Sequence, residues 1–190
     1  MGLKDLATAA GLAAEDQDLL ELLLREEGVE LAADAGLVRR GATRAPLSFA
    51  QERLWFLDRL TPGTATYNMP GPLRLRGALD LQALRAAVAE LARRHESLRT
   101  RFAHEDGEPV QLIDPPGAAT LPEVELSALP EPARTREAER LAAAEAAWPF
   151  DLARGPLWRS ILLRSGDAEH VLLLTLHHIV TDGWSMGVLF

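Results

Sequence analysis

An apolar run that leads into two adjacent histidines constrains the fold of this 190-residue chain more than any other feature. The run, His170 to Leu176 (HVLLLTL), is too short for a typical helix and predicts a strand that is buried on both faces. His177 and His178 then stand at the end of the strand, and Asp182 and Gly183 follow on a turn. Two imidazoles and a carboxylate are therefore predicted to meet just after a buried strand.

The two histidines are candidates for acid–base chemistry. Successive residues of a strand face opposite sides, so we expect one ring to point into the core and the other into a cavity. Imidazole titrates close to neutral pH, which suits it to removing a proton from an attacking amine or alcohol. Asp182 could orient a ring or brace the turn with a buried cation. From the residues alone, a hydrogen-bonded structural histidine at the strand end is the commoner case, and acyl transfer is left open beside it.

A zinc site is the other chemistry that clustered histidines suggest, and here the sequence argues against it. The remaining histidines are His95, His104 and His170, cysteine is absent, and no His-Glu-x-x-His motif occurs. We predict no metal site.

Composition limits the class of protein. Apolar residues make up 47% of the chain and charged residues 25%, which predicts one globular domain plus a tail. A formal net charge of -8 argues against nucleic-acid binding, because phosphate contacts need a basic face. Without cysteine there is no disulfide framework, which fits a reducing compartment. The N-terminus lacks a targeting pattern and no apolar run could span a membrane, so the sequence predicts a cytoplasmic protein without membrane contact.

The first 40 residues form a distinct acidic tail, with nine acidic residues against four basic ones. Residues Asp16 to Glu27 (DQDLLELLLREE) predict a short helix with a broad apolar face. That helix either packs on the following domain or docks a partner chain. Gly41 to Pro46 is predicted to be a linker, so the tail is assigned to residues 1–45 and the globular domain to residues 46–190.

Caps, periodicity and turn residues predict the remaining elements. In the first predicted helix, Ala50, Leu54, Trp55 and Leu57 are expected to face inwards. The chain ends within two turns of the last helix, and a partner lobe is expected to complete the site. Two predicted helices follow the caps Ser48 and Asp80, a third spans Glu131 to Ala147, and a fourth begins at Trp184. The predicted single strands are Leu73 to Arg76 and Glu123 to Leu126. One predicted hairpin joins Arg99–Ala103 to Val110–Ile113 at Asp106-Gly107, and a second joins Leu157–Leu163 to Glu169–Leu176.

Three segments resemble, in order, core motifs of nonribosomal peptide synthetase condensation domains. They are Ser48–Leu57 (SFAQERLWFL), Arg94–Phe102 (RHESLRTRF) and His177–Ser185 (HHIVTDGWS). Tyr67–Pro70 and Pro149–Leu152 are also similar to family segments. The resemblance covers residues 46–190 and corresponds to the first of two similar lobes.

The resemblance implies an α/β fold, a chloramphenicol-acetyltransferase-like lobe with a mixed β-sheet and flanking helices. It implies an active site in a tunnel between the two lobes, so the 190-residue fragment is expected to be inactive without the second lobe. The partners implied are an upstream donor carrier protein and a downstream acceptor carrier protein. Both tether their substrates through phosphopantetheine, no cofactor is bound directly, and the product is an amide.

The same resemblance assigns roles to individual residues. His178 corresponds to the family's catalytic histidine, as a base or as a positioner of the acceptor amine. Gly183 lets the backbone approach the substrate, and its amide could hold the oxyanion. His177, Asp182, Arg94 and Arg99 are expected to be structural residues of the site. The ring of His177 is expected to lie in the core. Asp182 is expected to pair with Arg99, with Arg94 nearby in support.

Alternative functions remain open at this point. Relatives that epimerise a carrier-bound residue share the His-His-x-x-x-Asp-Gly motif, whereas heterocyclising relatives replace it and are disfavoured. A non-catalytic module that only recruits carrier or synthase partners is the third class. The tail is also similar to the stretch before condensation domains that follow a polyketide module, which implies docking to an upstream synthase through residues 1–40.

Overall fold

The structure, a computed structural model, describes residue 13, residues 41–105 and residues 107–189. These residues contain two β-sheets, four α-helices and a short 3₁₀ helix at Glu96–Arg99. The predicted tail helix and its docking role fall outside these described residues. None of the described helices is both long enough and apolar enough to cross a membrane. The helices are α1 (Phe49–Leu60), α2 (Leu81–Arg94), α3 (Glu131–Ala147) and α4 (Gly183–Leu189); the strands are β1 (Arg44–Pro46), β2 (Asn68–Arg76), β3 (Thr100–Glu105), β4 (Glu108–Ile113), β5 (Glu123–Glu125), β6 (Trp158–Gly166) and β7 (Glu169–His177).

The larger sheet carries the histidines. Its strand order is β2-β7-β6-β5, with β5 parallel to β6 and the other neighbours antiparallel. The smaller sheet is antiparallel, in the order β1-β4-β3. This mixed sheet with helices around it confirms the predicted fold class.

Strand β7 is covered on both faces, as its apolar run predicted. Leu172, Leu174 and Leu176 belong to the core cluster that includes Val88 and Ala92 of α2. Their neighbour Leu173 faces the other way, into a cluster against which Leu141 of α3 packs. Because helices cover both sides of the strand, polar chemistry becomes possible only where the strand ends, at the two histidines.

Local signals located the helix boundaries well. The Ser48 hydroxyl accepts a hydrogen bond from the Gln51 amide and forms a capping box, and Asp80 caps α2. Helix α3 has the predicted bounds. The expected inward face of α1 is only partly correct, because Ala50 is exposed while Leu54 and Trp55 pack against a buried cluster. Helix α1 lies on the surface and contains no fully buried residue.

Strand β1 lies where the sequence predicted a linker. Arg44, Ala45 and Pro46 pair with Leu112, Gln111 and Val110 of β4. A three-residue strand has no periodicity that a sequence could reveal, and only its pairing with β4 defines it. The predicted hairpin between β3 and β4 is present, and Gly107 takes a positive φ of 89° in its turn, a conformation that glycine adopts without strain.

Two prolines lie in β2 at the edge of the larger sheet. In an antiparallel pair, alternate residues of a strand bond to the neighbouring strand. In β2 these are the odd-numbered residues, because the amide of Gly77, just past the strand, donates to the carbonyl of Ala168 at 2.9 Å. Pro70 and Pro72 are even-numbered, so their ring nitrogens face away from β7. Proline is tolerated at such positions because it takes no bond from the ladder.

Candidate active site

His177 is a core residue at the end of β7. Only 3% of its surface is exposed, and its ring lies edge-on to the rings of Tyr67 and Phe150. Its amide donates to the carbonyl of Leu157 at 2.9 Å, which continues the pairing with β6. The expectation that this ring faces the core is confirmed.

The His177 ring is held in its neutral form. The amide of Ile179 donates to Nδ1 at 3.1 Å, so Nδ1 must keep its lone pair and the proton lies on Nε2. Burial, together with the neighbouring His178, lowers the pKa of His177 from 6.5 to about 4. A ring that stays neutral and is enclosed by aromatic side chains contributes to folding and cannot exchange protons with a substrate.

Acid should therefore destabilise the fold through His177. The lowered pKa means that the unfolded state binds a proton more readily, so the stabilisation is fully present above pH 6.5 and is lost as the pH falls towards 4. Over that interval we expect His177 to account for a loss of about 3 kcal/mol in the free energy of unfolding. Urea unfolding at a series of pH values measures this loss.

The variant His177→Asn is the matched comparison. Its side-chain oxygen can still accept the Ile179 amide, but it does not titrate, so its free energy of unfolding should fall less steeply with acid. Equal pH dependence in the two proteins would contradict the assignment. A direct NMR titration of the His177 ring, which does not depend on the variant folding, should give a pKa near 4.

His178 faces the opposite way and is exposed. Its amide donates to the carbonyl of Tyr67 at 2.8 Å, and its Nδ1 lies 2.7 Å from the carbonyl oxygen of Thr181. A carbonyl oxygen can only accept, so Nδ1 carries the proton and donates it. In the neutral ring, Nε2 is then left with a lone pair. The backbone thus holds this imidazole in the tautomer whose Nε2 is free to act as a general base.

Asp182 directly precedes helix α4 and does not form the predicted pair with Arg99. The side chain is exposed, and one of its oxygens accepts from the amide of Ser185 at 2.7 Å and from its hydroxyl at 2.6 Å. The first bond is that of a helix N-cap. These bonds from Ser185 also hold the pKa of Asp182 below its usual range. The local cap satisfies this carboxylate in place of a distant cation.

The two arginines predicted near Asp182 lie elsewhere. Nη1 of Arg99 donates to the carbonyl of Asp114 at 2.6 Å, and Nη2 lies 3.5 Å from a carboxylate oxygen of Glu96. Arg94, in the last turn of α2, is exposed. Within the described residues neither arginine forms an ion pair with Asp182. The pairing expected from the resemblance is therefore corrected.

Gly183 is the first residue of α4 and is exposed. A Cβ atom added to it would meet nothing within 4 Å, so open space adjoins the backbone here. The first amides of a helix have no partner inside the helix and remain able to bind a negative oxygen. Trp184, 86% exposed, lines a cavity of about 180 Å³ that also contacts Thr181 and His95.

The groups that orient His178 cannot be recognised in the sequence. They are the main-chain carbonyls of Thr181 and Tyr67, and a carbonyl gives no residue-type signal. The Tyr67 to Pro70 segment is marked in the sequence only by its resemblance to the family.

In the part of the chain that the structure describes, no cluster of three or more potential metal ligands is present.

Comparisons with known proteins show the family of the chain. The family model named Condensation domain matches residues 42–190. The chain is 44% identical over 190 residues to phosphinothricin tripeptide synthetase PhsC of Streptomyces viridochromogenes, covering 98% of this chain and 17% of that protein. It is 51% identical over 143 residues to chondramide synthase cmdD of Chondromyces crocatus, covering 75% of this chain and 4% of that protein.

A solved structure has the same fold. The first condensation domain of the calcium-dependent antibiotic synthetase, in complex with substrate analogue 2a, aligns with a TM-score of 0.70 at 30% identity. The alignment covers 78% of this chain and 36% of that one. This chain thus spans a minor part of the proteins that it matches. With its two oppositely directed histidines and these matches, the chain belongs to the condensation-domain family of nonribosomal peptide synthetases.

Proposed function

We propose that this chain forms the first of two lobes of a domain that makes amide bonds in nonribosomal peptide synthesis. In this proposal an upstream carrier protein presents an acyl or peptidyl thioester, and a downstream carrier protein presents an aminoacyl group with a free amine. Both groups are tethered through phosphopantetheine, which is part of the substrates. A second lobe would close the site and exclude water.

The exposed His178 ring supports this proposal most directly. Its Nδ1 is occupied by the Thr181 carbonyl at 2.7 Å, which leaves Nε2 as the atom that meets a substrate. The neighbouring His177 is buried and has a pKa of about 4, so it does not compete for the same proton near neutral pH. One available base at the end of a rigid strand suits a reaction in which a single amine loses a proton.

The proposed reaction is an aminolysis of the thioester. The acceptor amine attacks the carbonyl carbon, a C–N bond forms, and the C–S bond breaks. The proton released by the amine passes to Nε2 of His178 and then to the departing thiolate of the donor arm. The amide of Gly183 donates to the carbonyl oxygen while negative charge develops on it. The products are an amide on the acceptor carrier and a free thiol on the donor carrier.

Intact-protein mass spectrometry tests this function. A polypeptide that includes residues 46–190 and the second lobe is mixed with donor carriers bearing alanyl, leucyl, phenylalanyl or octanoyl groups and with aminoacyl acceptor carriers. Condensation predicts that the donor mass disappears from the donor carrier and is added to the acceptor carrier. Omitting the polypeptide controls for spontaneous transfer.

The same assay in D₂O separates the two other classes of function. An epimerase would leave each carrier's acyl group in place and raise its mass by about 1 Da, because the removed α-hydrogen is replaced by deuterium. A recruitment module would bind the carriers without changing either mass. Either result would overturn amide formation as the function of this chain.

A further inference from the structure

The C-terminal end of α3 is tied to both strands that flank β7. From β2, Nδ2 of Asn68 donates to the carbonyls of Ala146 and Trp148, each at 2.8 Å. From β6, Nη2 of Arg159 donates to the carbonyl of Trp148 at 2.7 Å and to that of Glu145 at 3.2 Å. The last carbonyls of a helix lack partners within the helix, and these two side chains supply them.

Asn68 also lies next to the group that holds His178. It is opposite His177 in the pairing of β2 with β7, and its main-chain amide donates to the carbonyl of Ala65 at 3.0 Å. The carbonyl of Tyr67, the residue just before Asn68, accepts from the main-chain amide of His178 at 2.8 Å. One peptide unit therefore separates the Asn68 side chain, anchored on α3, from the acceptor that holds the His178 backbone.

The chemistry of this anchor requires an amide side chain. Both bonds of Asn68 to α3 come from its NH₂ group, while Oδ1 is buried and has no partner among the described residues. An aspartate has the same shape, but it would turn a carboxylate oxygen towards two carbonyl oxygens. Alanine would only remove the bonds. The asparagine therefore acts here as a donor to the helix end.

We propose that Asn68 is a positioning residue for His178. By fixing the start of β2 on the end of α3, Asn68 holds the Tyr67 carbonyl where it bonds the His178 amide, and this sets the direction of the imidazole. Asn68 does not touch the substrate in this proposal. Its catalytic consequence rests on the proposed function of His178, whereas its structural consequence does not.

Hydrogen exchange tests the structural part. In the full-length protein, Asn68→Ala should raise the exchange rate of the His178 amide about tenfold or more, because the acceptor carbonyl is no longer held in place. Overlapping peptides analysed by mass spectrometry report this amide. Asn68→Asp should raise the rate at least as much. Unchanged exchange in both variants would overturn the proposal.

A matched control separates positioning from general loss of stability. Asp80→Ala removes two hydrogen bonds of similar length, to the amides of Gln82 and Ala83 at the start of α2, and these residues make none of the His178 contacts described above. We expect Asp80→Ala to lower the melting temperature without changing exchange at His178. Asn68 would be only a structural residue if Asn68→Ala and Asp80→Ala lowered the melting temperature equally and also raised the exchange rate of the His178 amide equally.

The transfer assay tests the catalytic part. Asn68→Ala should lower kcat roughly tenfold to a hundredfold with little change in KM, because the base is misplaced while the carrier surfaces are intact. Asp80→Ala should leave both constants unchanged. A normal kcat with loosened exchange would overturn the catalytic role of Asn68. If His178→Ala also transferred normally, the proposed role of His178 as the base would fail, while the exchange result would still decide the positioning.

Discussion

Replacing His178 with alanine is expected to reduce the rate of amide transfer by about 10²–10⁴-fold, the usual contribution of a general acid–base group. The reason is the geometry at Nδ1, which donates to the Thr181 carbonyl and leaves Nε2 as the group that can accept the amine proton. The rate is measured in a single turnover, as donor mass arriving on the acceptor carrier. Binding of each carrier should stay unchanged, since the ring is small compared with a protein interface.

The variant His178→Gln refines this test. Glutamine retains a polar group of similar reach but cannot accept and then release a proton near neutral pH, so it should be nearly as slow as alanine. Transfer within about threefold of the wild-type rate would mean that the ring only orients the amine or is not needed. The melting temperature of both variants should stay close to that of the wild type, because the side chain is exposed.

Replacing Arg159 with alanine is expected to lower the free energy of unfolding by about 3–5 kcal/mol. Nε of Arg159 lies 2.5 Å from a carboxylate oxygen of Glu145, whose side chain is only 6% exposed. Without the guanidinium this carboxylate is left buried and unpaired. The guanidinium also lies 3.8 Å from the ring centre of Phe150 and holds carbonyls at the end of α3. Urea unfolding measures the loss.

An exposed ion pair provides the control for Arg159. Glu90 and Arg93 are three residues apart on α2, at 2.6 Å, with more than half of each side chain exposed. Removing Arg93 should cost far less than removing Arg159, because water screens and replaces the exposed pair. The double variant Arg159→Leu with Glu145→Leu should recover part of the loss. If Arg159→Ala cost no more than Arg93→Ala, the pair would contribute little to stability.

The sequence predicted the features that depend on neighbouring residues. Ser48 and Asp80 mark the starts of α1 and α2 because their side chains cap amides two or three residues later. The apolar run of β7 predicted a strand buried on both faces, which placed His177 and His178 at its end. Opposite directions for two adjacent rings then follow from the alternation of a strand.

Features that depend on distant parts of the chain were not predictable in the same way. The order β2-β7-β6-β5 brings Tyr67 beside His178, and nothing in the spacing of these residues indicates it. The group that orients His178 is a main-chain carbonyl, which any residue at position 181 would supply. The pair of Asp182 with Arg99 is implied only by the resemblance to the family, and bonds from Ser185, three residues away, satisfy the carboxylate instead.

The prolines of β2 affect how the protein behaves at high concentration. An exposed strand edge offers a row of amide hydrogens on which a strand of another molecule can assemble, the first step towards aggregation. In β2, positions 70 and 72 would provide two successive outward amides, and proline has none. An incoming strand would therefore leave two of its carbonyls without partners. Among the described residues, we therefore expect the edge of the sheet at positions 70 and 72 to be a poor template for association of one copy with another.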